Sequence, residues 1–274
     1  MVSKRIVKLV HSLRQKKGRE SERLFVAEGK RLVTDLVAGG MRPVALFVTE
    51  ASLPLLPVLV HCGVTPEVCS ASEMNALSGL VHPPKGEGML ALFPLPADSE
   101  DAQAEASLPA RELCLALDSV QDPGNLGTIL RTADWFGIRH IFASTETADV
   151  YAPKVVQATM GAVARVRMHY VNLPAFLDKV SEEVPVYGTF LDGDNLYARS
   201  LRFEDRGILV MGNEGRGISE EVAARVTHRL LIPPYPAGGT GAESLNVGAA
   251  TAILCAEMRR SLINVTDETY KRAR

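Results

Sequence analysis

Residues Leu117 to Gly137 read "LDSVQDPGNLGTILRTADWFG". The apolar run "LCLAL" ends there at Asp118, and Asp122-Pro123-Gly124-Asn125 then makes a sharp turn. A helix follows, for which Asn125 is the expected cap. An apolar strand, a tight turn and a helix are the opening of an α/β unit. The helix carries a lone cation, Arg131, one to two turns in. Its first amides offer an anion site, to which Arg131 adds charge. An ion pair with Asp118 or Asp134 is the structural alternative for that arginine.

Outward from this stretch, residues 111–274 alternate strand and helix. "ELCLALD", "IRHIFAS", "RVRMHYV", "VPVYGTFL", "RGILVMG" and "HRLLIPP" read as strands. "PKVVQATMG", "PAFLDKVSE", "ISEEVAARV" and "NVGAATAILCAEMRRSL" read as further helices. Near-continuous apolar strands between helices argue for a parallel sheet covered on both faces. Ligands bind beyond the carboxyl ends of such strands, and two more unusual loops follow strands here. In "VMGNEGRGIS", Gly212, Gly215 and Gly217 let backbone approach a ligand. Their spacing is neither the dinucleotide fingerprint nor a P-loop. In "IPPYPAGGTGAESLNVGAATA", a long loop leads from Ile232 to Ser244, Leu245 and Asn246. The helix after it presents Gly248, Ala249, Ala250 and Ala252, a narrow face that something must pack against closely.

Residues 95–110, "LPADSEDAQAEASLPA", are acidic and alanine-rich, and read as a linker. Residues 1–94 form a smaller α/β module. Its elements are "KRIVKLVHSLRQ", "RLFVAEG", "KRLVTDLVAGG", "PVALFVT", "SEMNALSGL" with Ser72 at the N-cap, and "MLALF". Its first 31 residues carry ten lysines and arginines against three glutamates, although the net charge of the chain is only −2. Lys4, Lys8, Arg14, Lys16, Lys17 and Arg19 are the expected contacts to a polyanion.

The four cysteines show no metal-ligand spacing, so no metal is expected, and Cys114 and Cys255 read as core residues of a protein in a reducing cytoplasm. No run approaches the roughly 20 apolar residues of a membrane span, and the start lacks a signal-peptide core.

Together the three loops resemble the SpoU-type ribose 2′-O-methyltransferases of the SPOUT superfamily. The first motif, Asn-x-Gly-x-x-x-Arg, is present as Asn125, Gly127 and Arg131. The second runs from Met211 to Ile218, and the third comprises Ile232-Pro233 and Ser244-Leu245-Asn246. "RLFVAEGKRLVTDLV" and "HPPKGEGMLALF" are similar to the entry and exit of the family's substrate-binding domain. The resemblance implies an N-terminal L30e-like α/β domain and a C-terminal parallel-sheet SPOUT domain with a deep trefoil knot. It implies S-adenosyl-L-methionine as cofactor, held by the backbone of Gly212, Ile232 and Leu245. Thr189, Leu191 and Gly193 line that pocket, with Asn213 and Gly215 beside them. It implies a homodimer, with RNA and not DNA as substrate, since the target 2′-hydroxyl is absent from DNA. The basic N-terminus favours ribosomal RNA. A tRNA substrate, or an RNA-binding assembly factor without turnover, is the alternative. The loop from Ile232 to Ser244 is longer than the family's usual one, and Gly248 stands where a serine is commoner.

Arg131 is the catalytic residue the resemblance implies. A guanidinium is a poor base, because removing its proton at pH 7 costs roughly 7 kcal/mol. Gripping the substrate phosphate and easing loss of the hydroxyl proton suits it better. Asn125 would fix Arg131 or the ribose. Glu214 would orient the arginine, and Ser244 and Asn246 would complete the hydrogen-bond shell.

Overall fold

The structure, a computed structural model, describes residues 2–54, 63–79, 88–97, 102–198, 201–236, 244–260 and 262. In chain order the helices are α1 (Lys4–Ser12), α2 (Lys16–Glu22), α3 (Lys30–Ala38), α4 (Ala71–Leu77), α5 (Ala102–Ser107), α6 (Pro123–Trp135), α7 (Pro153–Thr159), α8 (Leu173–Leu177), α9 (Glu220–Ala223) and α10 (Val247–Arg260). The strands are β1 (Leu24–Glu28), β2 (Ala45–Thr49), β3 (Glu67–Cys69), β4 (Met89–Pro94), β5 (Leu113–Leu117), β6 (His140–Ala143), β7 (Arg167–Tyr170), β8 (Val186–Asn195), β9 (Gly207–Met211) and β10 (His228–Leu231). They form two compact units. One comprises Met1–Asp98 and Asp149–Arg165, the other Ser99–Ala148 and Val166–Arg274.

The first unit has a four-stranded sheet in the order β1-β4-β2-β3, with β4 antiparallel to both neighbours and β2 parallel to β3. Val10 and Leu13 of the α1 region pack with Phe47, Met74, Leu77, Leu90 and Leu92 in its core. Helix α2 and strand β3 were not expected from the sequence. "KKGRESE" has no apolar period, yet it folds back on the end of α1. Gly18 permits this: a Cβ there would lie 2.1 Å from the Ser12 carbonyl oxygen. The N-cap of α4 is Ser70, not Ser72, because Ser70 and Glu73 close a capping box. Residues 149–165 belong to this unit. Tyr151 packs on Phe25 of β1 with ring centroids 4.9 Å apart. At Gly161 a Cβ would come within 2.7 Å of the Asp35 side chain.

The second unit is a six-stranded sheet in the order β10-β8-β9-β5-β6-β7, every pair parallel. Every residue of central β5 and β9 is buried, which is why their sequences are unbroken apolar runs. The chain runs outward from β5 through β6 to β7, then returns to the far side of β9. The strand order therefore reverses beside β5 and β9, and the crevice beyond their carboxyl ends is the natural ligand position. Cys114 and Cys255 are fully buried, and burial pushes both thiols up to about 12.

The stretch read as a linker is structured at its end. Residues 102–107 form α5, Leu108–Ala110 form a 3₁₀ turn, and Ala106 joins the core of the second unit. High helix propensity in "AQAEAS" and a buried alanine account for it. Residues 98–101 lie outside the described residues, as do His61, Cys62, His82 and the "PPK" turn. The same holds for 237–243, on whose course the expected knot depends.

Candidate functional site

Helix α6 starts two residues before the expected motif asparagine. Pro123 takes the first helical position, where its missing N–H costs nothing. Asp122 is the cap, its Oδ1 accepting the Asn125 amide at 2.8 Å. The expectation that Asn125 caps the helix is thereby corrected. Its carboxamide is left free for other partners, and it has two. Asn125 Nδ2 donates to Glu214 Oε1 at 3.0 Å, and Asn246 Nδ2 donates to Asn125 Oδ1 at 2.7 Å. Asn246 Oδ1 in turn accepts the Ala249 amide at 3.2 Å, holding the start of α10. A carboxylate accepts only and a backbone N–H donates only, so the two ends of this chain fix both amide orientations.

Glu214 also takes the amides of Asp122 (3.3 Å) and Gln121 (3.5 Å). Desolvation, the largest single influence on its carboxyl, works upward. The hydrogen bonds from Asn125 and from backbone outweigh it and hold the group below the usual carboxylate range. One residue from each of the three loops thus meets in a single hydrogen-bonded line at the carboxyl edge of β5 and β9.

Arg131 stands apart from this line. It is exposed, and its side chain makes no hydrogen bond or ion pair among the described residues. Glu214 does not bind it within one chain. Nor does the alternative hold for Asp118, whose carboxylate accepts the Ser219 amide at 2.7 Å and the Ser119 hydroxyl at 3.3 Å. Arg131 lies with Gly124, Thr128 and Trp135 on one exposed stripe of α6, at helical spacing. Trp135 is 84% exposed. Ser244 is exposed and outside the bonded line.

The expected cofactor residues occupy several settings. Gly212 is buried, and a Cβ there would lie 2.3 Å from the carbonyl carbon of Gly217, so only glycine lets this loop close. The side chain of Asn213 is engaged inside the loop and with Ser119. Gly215 is exposed, and Ile232 follows β10 half-buried. Pairing of β8 with β10 jumps from Gly188 opposite Arg229 to Asp194 opposite Leu230. Thr189, Leu191 and Gly193 therefore sit in a segment that leaves the ladder. Gly193 is needed where the strands rejoin, since a Cβ there would lie 2.5 Å from Leu230 backbone. Leu191 and Leu245 are 79% and 52% exposed. The narrow face of α10 meets α6: a Cβ on Gly248 would lie 3.0 Å from Thr128 Cγ2.

In the first unit Lys4, Lys8, Lys16 and Lys17 are exposed. Arg19 is not, which corrects its expected place among the polyanion contacts. It is 3% exposed, ion-paired with Asp149, and donates to the Leu13 carbonyl at 2.8 Å. Arg14 is exposed but donates to the carbonyls of Leu77 and Ser78, completing the end of α4.

Residues 112–256, which hold all three loops, match the SpoU rRNA Methylase family. The chain belongs to that family. Its membership makes it an RNA methyltransferase, and residues 4–88 match the MRM3-like substrate binding domain. The family's 23S rRNA (guanosine(2553)-2′-O)-methyltransferase RlmP of Bacillus subtilis is 31% identical over 90% of this chain and 93% of its own. A TrmH-family RNA methyltransferase structure from Porphyromonas gingivalis is 44% identical with TM-score 0.77, covering 95% of this chain and 99% of that one. The AdoMet-bound rRNA methyltransferase of Sinorhizobium meliloti is 30% identical with TM-score 0.80, covering 96% and 97%. Among the described residues no helix is long and apolar enough to cross a membrane.

Proposed function

We propose that this SpoU family member methylates a ribose 2′-hydroxyl in RNA, 23S-type ribosomal RNA above all, using S-adenosyl-L-methionine. The observation that carries the reading is the Glu214–Asn125–Asn246 line, which joins all three motif loops, with the unpaired Arg131 on the same helix as Asn125. The residues present suit the cofactor. Exposed Leu191 and Leu245 offer apolar surface for an adenine ring, and the ends of β9 and β10 bring backbone polar groups at Gly212 and Ile232. When bound, the cofactor supplies an activated methyl group.

The protein's share is positioning and charge. Arg131, free of internal partners, grips the RNA phosphate and stabilises negative charge growing on the ribose oxygen. Asn125, held from both sides, fixes the ribose. Residues 1–94 bind RNA through Lys4, Lys8, Lys16 and Lys17, and residues 111–274 carry the chemistry, with the last helix threaded as a trefoil knot. The Thr128–Arg131–Trp135 stripe suits a homodimer contact that would bring Arg131 toward the partner's Glu214. The protein works in the cytoplasm. Incubation with labelled cofactor and total RNA from a strain lacking the protein should label one ribose of 23S rRNA. Label in tRNA would change the substrate. Cofactor binding with no label in any RNA would leave a non-catalytic factor.

A further inference from the structure

The loop after β9 is organised by one side chain. Asn213 Oδ1 accepts the amides of Gly215 at 3.0 Å and Arg216 at 3.1 Å. Its Nδ2 donates to the carbonyl of Ser119, on the loop after β5, at 2.8 Å. The Asn213 backbone is closed as well, exchanging two 2.9 Å hydrogen bonds with Gly217. A second tie runs the other way. Asp118, 6% exposed at the end of β5, accepts the Ser219 amide at the start of α9. The two ties bracket Glu214, one residue before it and five after.

Ser119, where the first tie ends and which follows Asp118 directly, has φ of +61°, a conformation that residues other than glycine rarely adopt. Such a residue persists only where its surroundings hold it. Here its N–H donates to Ser144 Oγ at 2.9 Å, its hydroxyl reaches Asp118, and its carbonyl takes Asn213. The path of the first loop is therefore set jointly by Ser144, by Asp118 and, from the second loop, by Asn213.

We propose that Asn213 and Asp118 are positioning residues for methyl transfer. They clamp the loop after β9 to the loop after β5, so that the Glu214 carboxylate meets Asn125, and the Asn213 side chain is not a cofactor ligand. The assignment rests on reading this edge as the methyl-transfer site.

Two variants of Asn213 separate the roles. In Asn213→Asp a carboxylate still takes the Gly215 and Arg216 amides but has no N–H for the Ser119 carbonyl. Asn213→Ala loses both. Both should bind S-adenosylmethionine by calorimetry within about threefold of wild type while kcat falls about 100-fold, as misplacement of reacting groups does. Wild-type kcat in Asn213→Asp would overturn the clamp. Lost cofactor affinity with kcat retained would make Asn213 a cofactor ligand instead. Asp118→Asn, which still offers the Ser219 amide an acceptor, should recover most of what Asp118→Leu loses. A readout independent of turnover is the Glu214 carboxyl followed by carbon-13 NMR. In Asn213→Ala it should titrate at higher pH than in wild type, and an unchanged titration would refute the clamp. Wild-type protein that transfers no methyl to any RNA would sink the methyl-transfer reading, and the Glu214 titration would still decide the clamp.

Discussion

In the second unit Asn125 is bonded to both Glu214 and Asn246, so changing it alters the bonds of the other two. In the first, Lys4, Lys8, Lys16 and Lys17 stand in solvent, and among the described residues Lys16 makes only a loose 3.9 Å ion pair with Glu20. On the proposed function, the difference is between a site whose residue identities matter and a surface whose summed charge matters. Arg14, tied to the end of α4, and above all Arg19 depart from this. Arg19 looks by sequence like its lysine neighbours, yet it is buried against Asp149, which arrives from residues 149–165.

The Arg19 departure gives the largest expected effect. Asp149→Ala leaves a buried guanidinium without its partner, which costs about 3–5 kcal/mol. Because the Asp149 side chain is one-fifth exposed, the lower end is expected. Urea unfolding should show it, and replacing both partners by apolar residues should return most of the loss. A change under about 1 kcal/mol would put Arg19 back among the surface cations. Removing residues 1–94 is a poorer dissection, because it strips the partner surface from Val155, Val156 and Val163, all buried in the first unit.

Next in size is Arg131→Ala. It removes no internal contact, so folding and cofactor affinity should hold. Loss of one preorganised charge at the reacting oxygen should cut kcat about 100- to 1000-fold. Turnover near wild type with intact cofactor binding would end the role given to Arg131.

What could be read from sequence follows the same division. Strands β5 and β9 were legible because central parallel strands must be apolar throughout. The three loops stood out because their motifs carry residue types at fixed spacing, and the structure joins Asn125, Glu214 and Asn246 from them. The caps were misplaced by two or three residues, since Asp122 and Asn125, or Ser70 and Ser72, are equally good cap residues in isolation. The choice falls to Pro123 and to Glu73. Helix α2 was invisible because its reason for existing is the space at Gly18, not an apolar face. The pairing of Arg19 with a residue 130 positions away left no local trace. The loop bonds of Asn213 could not be read from sequence, because every partner of its side chain is backbone, which any sequence supplies.

A smaller effect separates the units by salt. If the lysines act through summed charge, Lys8→Ala should weaken RNA binding only a few-fold and lower the slope of log K against log salt by about one. Lys4→Ala and Lys17→Ala should do the same. One lysine with a far larger effect than the others would mean a specific contact, and the first unit would then resemble the second.

The smallest expected effect is on stability near neutral pH, and it belongs to the second unit. His169 Nδ1 donates to Glu105 Oε1 at 2.7 Å, so its Nε2 is an acceptor and takes the N–H of His140 Nδ1 at 3.0 Å. Burial holds both imidazoles below their ordinary 6.5, and for His140 the neighbouring His169 adds to it. Arg139 and Arg167 act in the same sense on His140, and Arg167 on His169, while Glu112 and Glu105 respectively oppose them. A proton on His169 Nε2 would meet the N–H of His140 head-on. Below the ordinary value the unfolded chain therefore binds more protons than the folded one, and stability falls as pH drops through that window. Glu214 and the other depressed carboxyls lose their contribution only at lower pH, so they do not confuse the reading. Urea midpoints between pH 7.5 and 5.5 should decline for the unfolding of the second unit, and His140→Gln with His169→Gln should flatten the slope. An equal decline in the double variant would place the titrating group elsewhere.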